Sequence, residues 1–156
     1  MVTQQRGQFH AVNGTLKLNR RDPSKSSVEA GIDVGSVDTN VAQRDEHLRS
    51  ADLFDAAHHP KMTFVSRSIT QAADGRLQVA GDLTIRGTTR RVLLDADPIS
   101  EESRDPFGMI KVVSPATTKI SRKEFGLVWN AVLETGGVAV GDEVKIALDR
   151  QFQRKP

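Results

Sequence analysis

A regular alternation of apolar and polar residues constrains the fold of this chain more than any other feature. From Leu77 to Ile85 every second residue is apolar or glycine, and the residues between them are polar or small. Because side chains along a β-strand point alternately to the two faces of a sheet, this pattern predicts a strand with one buried face. The Asp74-Gly75 pair before it predicts a tight hairpin with a type I′ turn, whose central residues both need positive φ. The flanking segments alternate in the same way, so the sequence predicts a meander of strands at about 62–72, 76–86 and 89–97.

Shorter stretches elsewhere in the chain predict further strands. Apolar and polar residues alternate over 28–34 and 144–149, and residues 13–19 have the composition of another short strand. The alternation is broken at Ser114-Pro115, which predicts a sheet edge or a bulge because proline lacks the N–H that a central strand needs. The polar stretch from Pro98 to Gly108 is predicted to be a long hairpin loop.

These strands can bury their apolar faces between two stacked sheets or inside one sheet curled into a barrel. Large aromatic side chains that would fill a barrel are scarce, since the chain has six Phe, one Trp and no Tyr. Small barrels are either filled by side chains or contain one ligand. The sequence therefore predicts an all-β fold as a single domain over residues 1–156, and it is compatible with a barrel that has room inside.

One segment, residues 41–56, departs from the alternation and is predicted to be a short helical insertion. It is rich in helix-forming residues, and Asn40 followed by Gln43 is typical of a capping box at a helix start. Its charged residues are costly to bury, so we expect it to lie outside the barrel or across one end.

Composition and motifs exclude several classes of function. The 22 Lys and Arg are nearly balanced by 20 Asp and Glu and are dispersed, so no nucleic-acid partner is predicted. No apolar run of transmembrane length occurs, and the absence of Cys excludes disulfides and thiolate chemistry. The chain has none of the common nucleotide-binding, hydrolase or metalloprotease motifs, so no catalytic residue, metal ion or cofactor is predicted. The polar N-terminus shows no signal peptide, which predicts a cytoplasmic protein for the sequence as given.

An alternative hypothesis is an enzyme, with or without a metal ion, that uses the charged cluster from Arg44 to Asp55. Such a site would combine this cluster with His47, His58 or His59 and would bring their side chains into one pocket with a perturbed carboxylate or imidazole. A solvated helix face with short-range ion pairs is the simpler interpretation of the same residues.

Several segments together resemble YceI-like proteins of bacteria. Ser36-Val37-Asp38-Thr39 and the segment Arg44–Asp55 resemble the family pattern SIDT…RDxHLxSxDFFD. The segments His59–Ser66 and Val79–Arg90 are similar to the family's YPxITFxS strand and VxGxLTIRGxTK hairpin, and Ile120–Gly126 and Val140–Val144 follow in the family's order. The resemblance implies a lipocalin-like antiparallel β-barrel that binds polyisoprenoid or other long-chain lipids without catalysis.

The chain departs from the family pattern at its start. Family members usually begin with a further strand before the segment that corresponds to Arg6–Phe9. We therefore expect a barrel that is incompletely closed, with a groove beside a C-terminal strand Glu143–Phe152 that is paired on one side only. The unpaired edge is expected to favour a homodimer or aggregation, and a start codon assigned too far downstream would make a periplasmic location compatible with the sequence.

The leading hypothesis is a non-enzymatic carrier of a hydrophobic small molecule, an isoprenoid or fatty-acid-like lipid, inside the barrel. The residues predicted to line the cavity are the inward apolar set of the strands: Met62, Phe64, Leu77, Val79, Leu83, Ile85, Val92, Leu94, Val144, Ile146 and Leu148. For each of them plain core packing is the competing interpretation, and a barrel filled by side chains that acts through its surface is a further alternative.

Overall fold

The computed structural model describes residues 6–129, 141–148 and 151–154. Its strands, in chain order, are β1 Gln8–Phe9, β2 Val12–Lys17, β3 Ser27–Asp33, β4 Val37–Asp38, β5 Lys61–Gln71, β6 Leu77–Ile85, β7 Thr88–Ala96, β8 Ser103–Arg104, β9 Ile110–Val113, β10 Ala116–Ser121, β11 Glu143–Leu148 and β12 Gln151–Arg154. The one α-helix in this part of the chain is α1, Ala42–Arg49, and short 3₁₀ turns occur at Pro23–Lys25, Val34–Ser36 and Arg122–Phe125.

Seven of the strands form one antiparallel sheet in the order β11-β10-β7-β6-β5-β3-β2. The sheet curls into a half-barrel, and in the described part of the chain β2 and β11 are its two edges. The predicted all-β antiparallel fold and its incomplete closure are therefore confirmed. Two smaller sheets accompany it, one formed by β1 and β4 and the other by β12, β9 and β8.

The meander β5-β6-β7 is the longest continuous part of the sheet and agrees with the predicted strands to within two residues. The hairpin at Asp74-Gly75 is confirmed, with Ala72 N–H donating to Arg76 O at 2.8 Å. Its predicted turn type is wrong, because only Gly75 has a positive φ, of 86°. The type I′ geometry occurs instead at the next hairpin, where Arg86 and Gly87 have φ of 51° and 73°.

Two predictions for the second half of the chain need correction. The loop predicted from Pro98 to Gly108 contains the short strand β8, which pairs with β9. The predicted C-terminal strand Glu143–Phe152 is two strands in the described residues, since β11 pairs with β10 and β12 pairs with β9. The break predicted at Ser114-Pro115 is confirmed, and it separates β9 from β10 so that the chain passes from the small sheet to the main one.

Helix α1 and the turns after it lie at the end of the half-barrel that carries the β6–β7 hairpin. Leu53 is buried in the core cluster and Leu48 packs against it. At the tip of the hairpin, Arg86 Nη1 donates to Leu53 O at 2.7 Å, which ties this segment to the sheet. The predicted helical insertion is confirmed, although α1 itself is shorter than residues 41–56.

The start of α1 does not use the predicted capping box. Val41 occupies the N-cap position without a side-chain hydrogen bond, and Asn40 adopts a left-handed φ of 65°. The buried carboxylate of Asp45 accepts from Thr39 N–H at 2.9 Å instead. The first turn is therefore stabilised by a carboxylate inside the helix that reaches back to Thr39, two residues before the N-cap Val41.

Candidate functional site

The inner wall of the half-barrel contains all of the residues that the sequence predicts as ligand-lining. The register places Phe64 opposite Leu83 and Val79 opposite Leu94, so these side chains lie side by side on the same face. At the far edge, Leu148 is opposite Ala116, which belongs to the same apolar face. Seven of the predicted residues are buried in the core cluster: Met62, Phe64, Leu77, Val79, Leu83, Ile85 and Leu94.

Exposure of the inner wall rises toward β11. Val92, Ile146 and Leu148 are only partly buried against the core cluster, and Val144 is 37% exposed. Across β5 and β6 the inward side chains pack against one another and against Phe125, which is 1% exposed. The half-barrel is therefore filled by side chains at its centre, and open space lies along the wall formed by β7, β10 and β11.

A gap separates β7 from β10 in this wall. The two strands pair at Ala96–Ala116 and Asp95–Thr117 and nowhere else in the described ladder, although both continue for several residues. Beyond these pairs, Thr118 Oγ1 donates to Leu93 O at 2.9 Å, a single side-chain link between the strands. At the far end, Arg90 Nε donates to Glu124 O at 3.2 Å and closes the gap against the 3₁₀ turn.

An open cleft of about 930 Å³ occupies this gap. Residues from both faces of the wall line it. Its inward lining residues are Val92, Thr118, Ile120 and Ile146, and Phe125 is buried behind them. Its rim is formed by outward residues, among them Arg91, Leu93, Lys119 and Lys145.

The charged residues that line the cleft are three cations, Arg91, Lys119 and Lys145, and two carboxylates, Asp95 and Glu124. Arg91 Nε donates to Asp82 Oδ1 at 3.0 Å, and Arg67 Nε donates to the other carboxylate oxygen at 2.7 Å. These two hydrogen bonds, that from Arg67 first, hold the pKa of Asp82 below its usual value. Lys119 and Lys145 are directly opposite each other in the β10–β11 ladder and are both exposed. Lys119 Nζ is 4.0 Å from Glu143, and among the described residues Lys145 has no carboxylate within that distance.

The charged segment from Arg44 to Asp55 does not form the pocket that the enzyme hypothesis requires. His47 pairs with Asp52 at 3.1 Å, and His58 pairs with Asp55 at 2.9 Å. The hydrogen bond from His58 lowers the pKa of Asp55 and keeps its carboxylate ionised. Arg44 donates to Thr39 Oγ1 at 2.9 Å and to Thr39 O at 3.0 Å. These are separate local contacts of a surface segment, and the described residues contain no group of three acidic or histidine side chains placed to bind a metal ion.

Two residues of the wall were not predicted from the sequence. Thr118 bridges the gap through its hydroxyl, and nothing in the alternation distinguishes it from any other strand threonine. Arg122 is 4% exposed and donates to the carbonyls of Gly141, Leu127 and Trp129, so it fixes the chain beyond β10 at the end of the wall. Its place in the segment Ile120–Gly126 that resembles the family pattern is the only signal that could have singled it out.

The fold and the site together define a class of proteins. Its members have one curled antiparallel sheet with an apolar inner face and an open cleft in the wall of that sheet. Comparison with known proteins narrows this class. The YceI-like domain family matches residues 1–152, and the chain belongs to this family. In the part of the chain that the structure describes, no helix is long and apolar enough to cross a membrane.

Individual relatives agree with the assignment. Protein YceI of Escherichia coli O157:H7 is 39% identical over 121 residues, which are 78% of this chain and 62% of the relative, so the chain spans less than two thirds of that protein. A YCEI protein from Campylobacter jejuni superposes with a TM-score of 0.85 at 22% identity, covering 100% of this chain and 88% of the other. A polyisoprenoid binding domain from Saccharophagus degradans superposes with a TM-score of 0.60 at 17% identity, covering 96% and 85%. At these identities the two structures establish the shared fold.

Proposed function

We propose that this chain binds a polyisoprenoid or other long-chain lipid along the inner wall of its half-barrel and acts as a carrier or sequestering protein without catalysis. The observation that carries the proposal is the apolar floor of the β7–β10 cleft. Val92, Ile120 and Ile146 lie there at the boundary between the packed core and the open volume. A polyisoprenoid-binding domain with the same fold supports the choice of ligand class.

The size and chemistry of the cleft suit an aliphatic chain. Its volume of about 930 Å³ lies within the range of roughly 300–1,000 Å³ that is usual for small-molecule sites. Each CH₂ transferred from water to such a surface contributes about 0.8 kcal/mol, so a few isoprene units supply useful affinity before the cost of ordering the chain. The charged groups near the cleft lie on its rim, and Thr118 is the one polar side chain among its inward lining residues, with its hydroxyl donating to Leu93 O.

The role of the predicted residues follows from their burial. We propose that Val92, Val144, Ile146 and Leu148 contact the ligand directly, because they are the members of the set that remain partly exposed. Met62, Phe64, Leu77, Val79, Leu83, Ile85 and Leu94 form the packed layer behind them, and a longer ligand would reach that layer only by displacing side chains.

A pair of neighbouring substitutions tests the proposal. Ile146→Asn places an amide on the inward face of β11, whereas Ala147→Asn places the same amide on its outward face. Binding of geranylgeraniol is measured by native mass spectrometry and by a titration below its aggregation limit. We expect Ile146→Asn to weaken binding about tenfold, since it replaces a buried aliphatic contact by an unpaired polar group, and Ala147→Asn to leave it unchanged.

The result also separates the proposal from its competitor. If neither the unmodified protein nor either variant takes up a prenyl or fatty acyl chain, the half-barrel is filled by side chains and acts through its surface. Equal weakening by both substitutions would place the ligand outside the inner wall.

A further inference from the structure

The loop between β8 and β9 presents the most exposed large apolar side chain in the part of the chain that the structure describes. Phe107 is 91% exposed, whereas the other large apolar side chains on the surface are 37% to 63% exposed. We infer that this loop, residues 105–109, is a docking surface for a phospholipid bilayer and that the Phe107 ring inserts into the interfacial region of the bilayer. The surface is separate from the inner wall of the half-barrel, so the inference goes beyond the proposed function.

The Phe107 ring is displayed on an ordered turn. Asp105 Oδ1 accepts from Phe107 N–H at 2.9 Å and from Met109 N–H at 3.0 Å. The backbone of Asp105 also accepts from Gly108 N–H and donates to Met109 O, each at 3.0 Å. Gly108 adopts a left-handed φ of 83°, which closes the turn. Because the turn is ordered before any partner binds, insertion of the ring does not carry the entropic cost of ordering a flexible loop.

The outer part of the loop is free of negative charge. Residues 106–108 are Pro, Phe and Gly. The side chain of Asp105 is only 15% exposed, and Lys111 Nζ lies 3.4 Å from its second carboxylate oxygen. Arg104 occupies the last β8–β9 ladder pair before the loop and is exposed. An aromatic ring with a cation behind it is attracted to a bilayer that contains anionic lipids.

The acidic residues before β8 do not cancel this attraction. Glu102 is paired with Arg154, with 3.1 Å between Oε1 and Nη2. Glu101 lies six positions before Phe107, on the far side of β8 from the loop.

A bilayer suits a single exposed ring better than a protein pocket does. A stable protein interface buries about 800 Å² on each partner and needs a broad complementary surface. The neighbours of Phe107 toward β8 are polar and exposed, namely Ser103 and Arg104, so the loop offers no such surface. The interfacial region of a bilayer accepts one aromatic side chain without a complementary shape.

Insertion of one ring predicts weak and reversible binding. Burial of a Phe side chain raises a partition constant about 10- to 100-fold, and one arginine near an anionic surface raises it about fivefold. Their product is roughly 50–500 M⁻¹, below the value of about 10⁴ M⁻¹ for a single myristoyl chain. We therefore expect half-saturation at roughly 2–20 mM accessible lipid.

The test is sedimentation with vesicles of phosphatidylcholine and phosphatidylglycerol. It compares the unmodified protein with Phe107→Ser and with the matched control Val41→Ser, which removes a 45% exposed apolar side chain at the start of α1. Phe107→Ser should lower the partition constant at least tenfold, and Val41→Ser should leave it unchanged. Thermal melts of Phe107→Ser and the unmodified protein should coincide, because the ring is 91% exposed and packs against little of the fold.

A further variant, Arg104→Gln, tests the charge contribution. It should weaken binding about fivefold on the anionic vesicles and leave binding to pure phosphatidylcholine vesicles unchanged. The effect on anionic vesicles should shrink as ionic strength rises, because Arg104 is exposed to solvent.

The position of the ring is tested with Phe107→Trp. The unmodified protein contains one tryptophan, Trp129, which is partly buried against the core cluster. We expect vesicles to shift the emission of Phe107→Trp to the blue, and phospholipids with brominated acyl chains to quench it. The emission of the unmodified protein should show neither change.

The outcomes separate this inference from its competitors and from the proposed function. Absence of vesicle binding by the unmodified protein, or an equal loss in Phe107→Ser and Val41→Ser, overturns the docking surface. A loss in Arg104→Gln with none in Phe107→Ser shows electrostatic attraction alone and overturns insertion of the ring. Uptake of geranylgeraniol by Phe107→Ser should match that of the unmodified protein, so failure of the half-barrel to bind lipid is read independently of failure to dock on vesicles.

Discussion

Gly81, at the centre of β6, leaves less room for an added Cβ than any other glycine in the described residues. A Cβ added there would lie 2.4 Å and 2.6 Å from two ring carbons of Phe64 and 2.7 Å from the carbonyl oxygen of Val65. Ordinary contacts between such atoms are at least 3.4 Å, so the ring and the β5 backbone would both have to move by about an ångström. Overpacking of this kind costs about 1–3 kcal/mol. Because backbone as well as side chain must move, we expect Gly81→Ala to lower the free energy of unfolding by about 2–3 kcal/mol.

Urea or thermal unfolding measures this loss, and for a chain of this size it corresponds to a fall in Tm of about 5–10 °C. Gly35→Ala is the matched control, since nothing lies within 4 Å of its added Cβ and its φ is not positive. It should change stability by less than about 1 kcal/mol, with a gain expected from the lower entropy of the unfolded chain.

A second substitution tests the cause of the loss. Phe64→Leu removes the ring atoms that meet the new Cβ, so Phe64→Leu/Gly81→Ala should be more stable than the sum of the two single losses by about 1 kcal/mol. Full recovery is not expected, because the Val65 carbonyl stays at 2.7 Å. Additive losses, or a Gly81→Ala protein as stable as the unmodified one, would refute the reasoning.

Three further predictions concern charge and assembly. Lys145→Glu replaces a like-charge pair with Lys119 by an opposite-charge pair. It should raise the free energy of unfolding by about 0.5 kcal/mol, measured by thermal melts at low salt. A fall in Tm would contradict this prediction. The hydrogen bonds from Arg67 and Arg91 lower the pKa of Asp82 in the folded state. The stability that these hydrogen bonds supply is therefore complete above the ordinary pKa of 3.8 and is lost as pH falls through the lower pKa of the folded state. Asp82→Asn should therefore be less stable at neutral pH and should show a weaker loss on acidification, and parallel pH profiles for the two proteins would argue against this contribution. Among the described strands β11 is an edge of the main sheet, which predicts a homodimer whose population rises with concentration. A constant monomer mass in light scattering across a hundredfold range of concentration would exclude it.

Local patterns in the sequence determined the elements of this protein. Alternation from Leu77 to Ile85 was sufficient for β6, because a strand needs only one continuous apolar face to be recognised. A run of helix-forming residues without β-branching was sufficient to predict α1. The pair Ser114-Pro115 was sufficient to predict the break between β9 and β10. The face of each strand on which the predicted ligand-lining set lies follows from position in the strand, whereas its contact with a ligand stays a prediction.

Only the tertiary structure decided the features that depend on two distant segments. The type I′ turn lies at Arg86-Gly87 rather than at Asp74-Gly75, and there Arg86 reaches across to Leu53, a contact that no local pattern contains. Strands β7 and β10 are twenty or more residues apart in the chain, and they diverge after two ladder pairs. This divergence divides the inner wall into a packed centre and an open cleft. The burial of Arg122 depends on carbonyl groups supplied by chain segments beyond the 3₁₀ turn that contains it. Alternation specifies which face of a strand is apolar, but whether that face meets another side chain or an open volume is set by packing between strands, which is a property of the whole sheet.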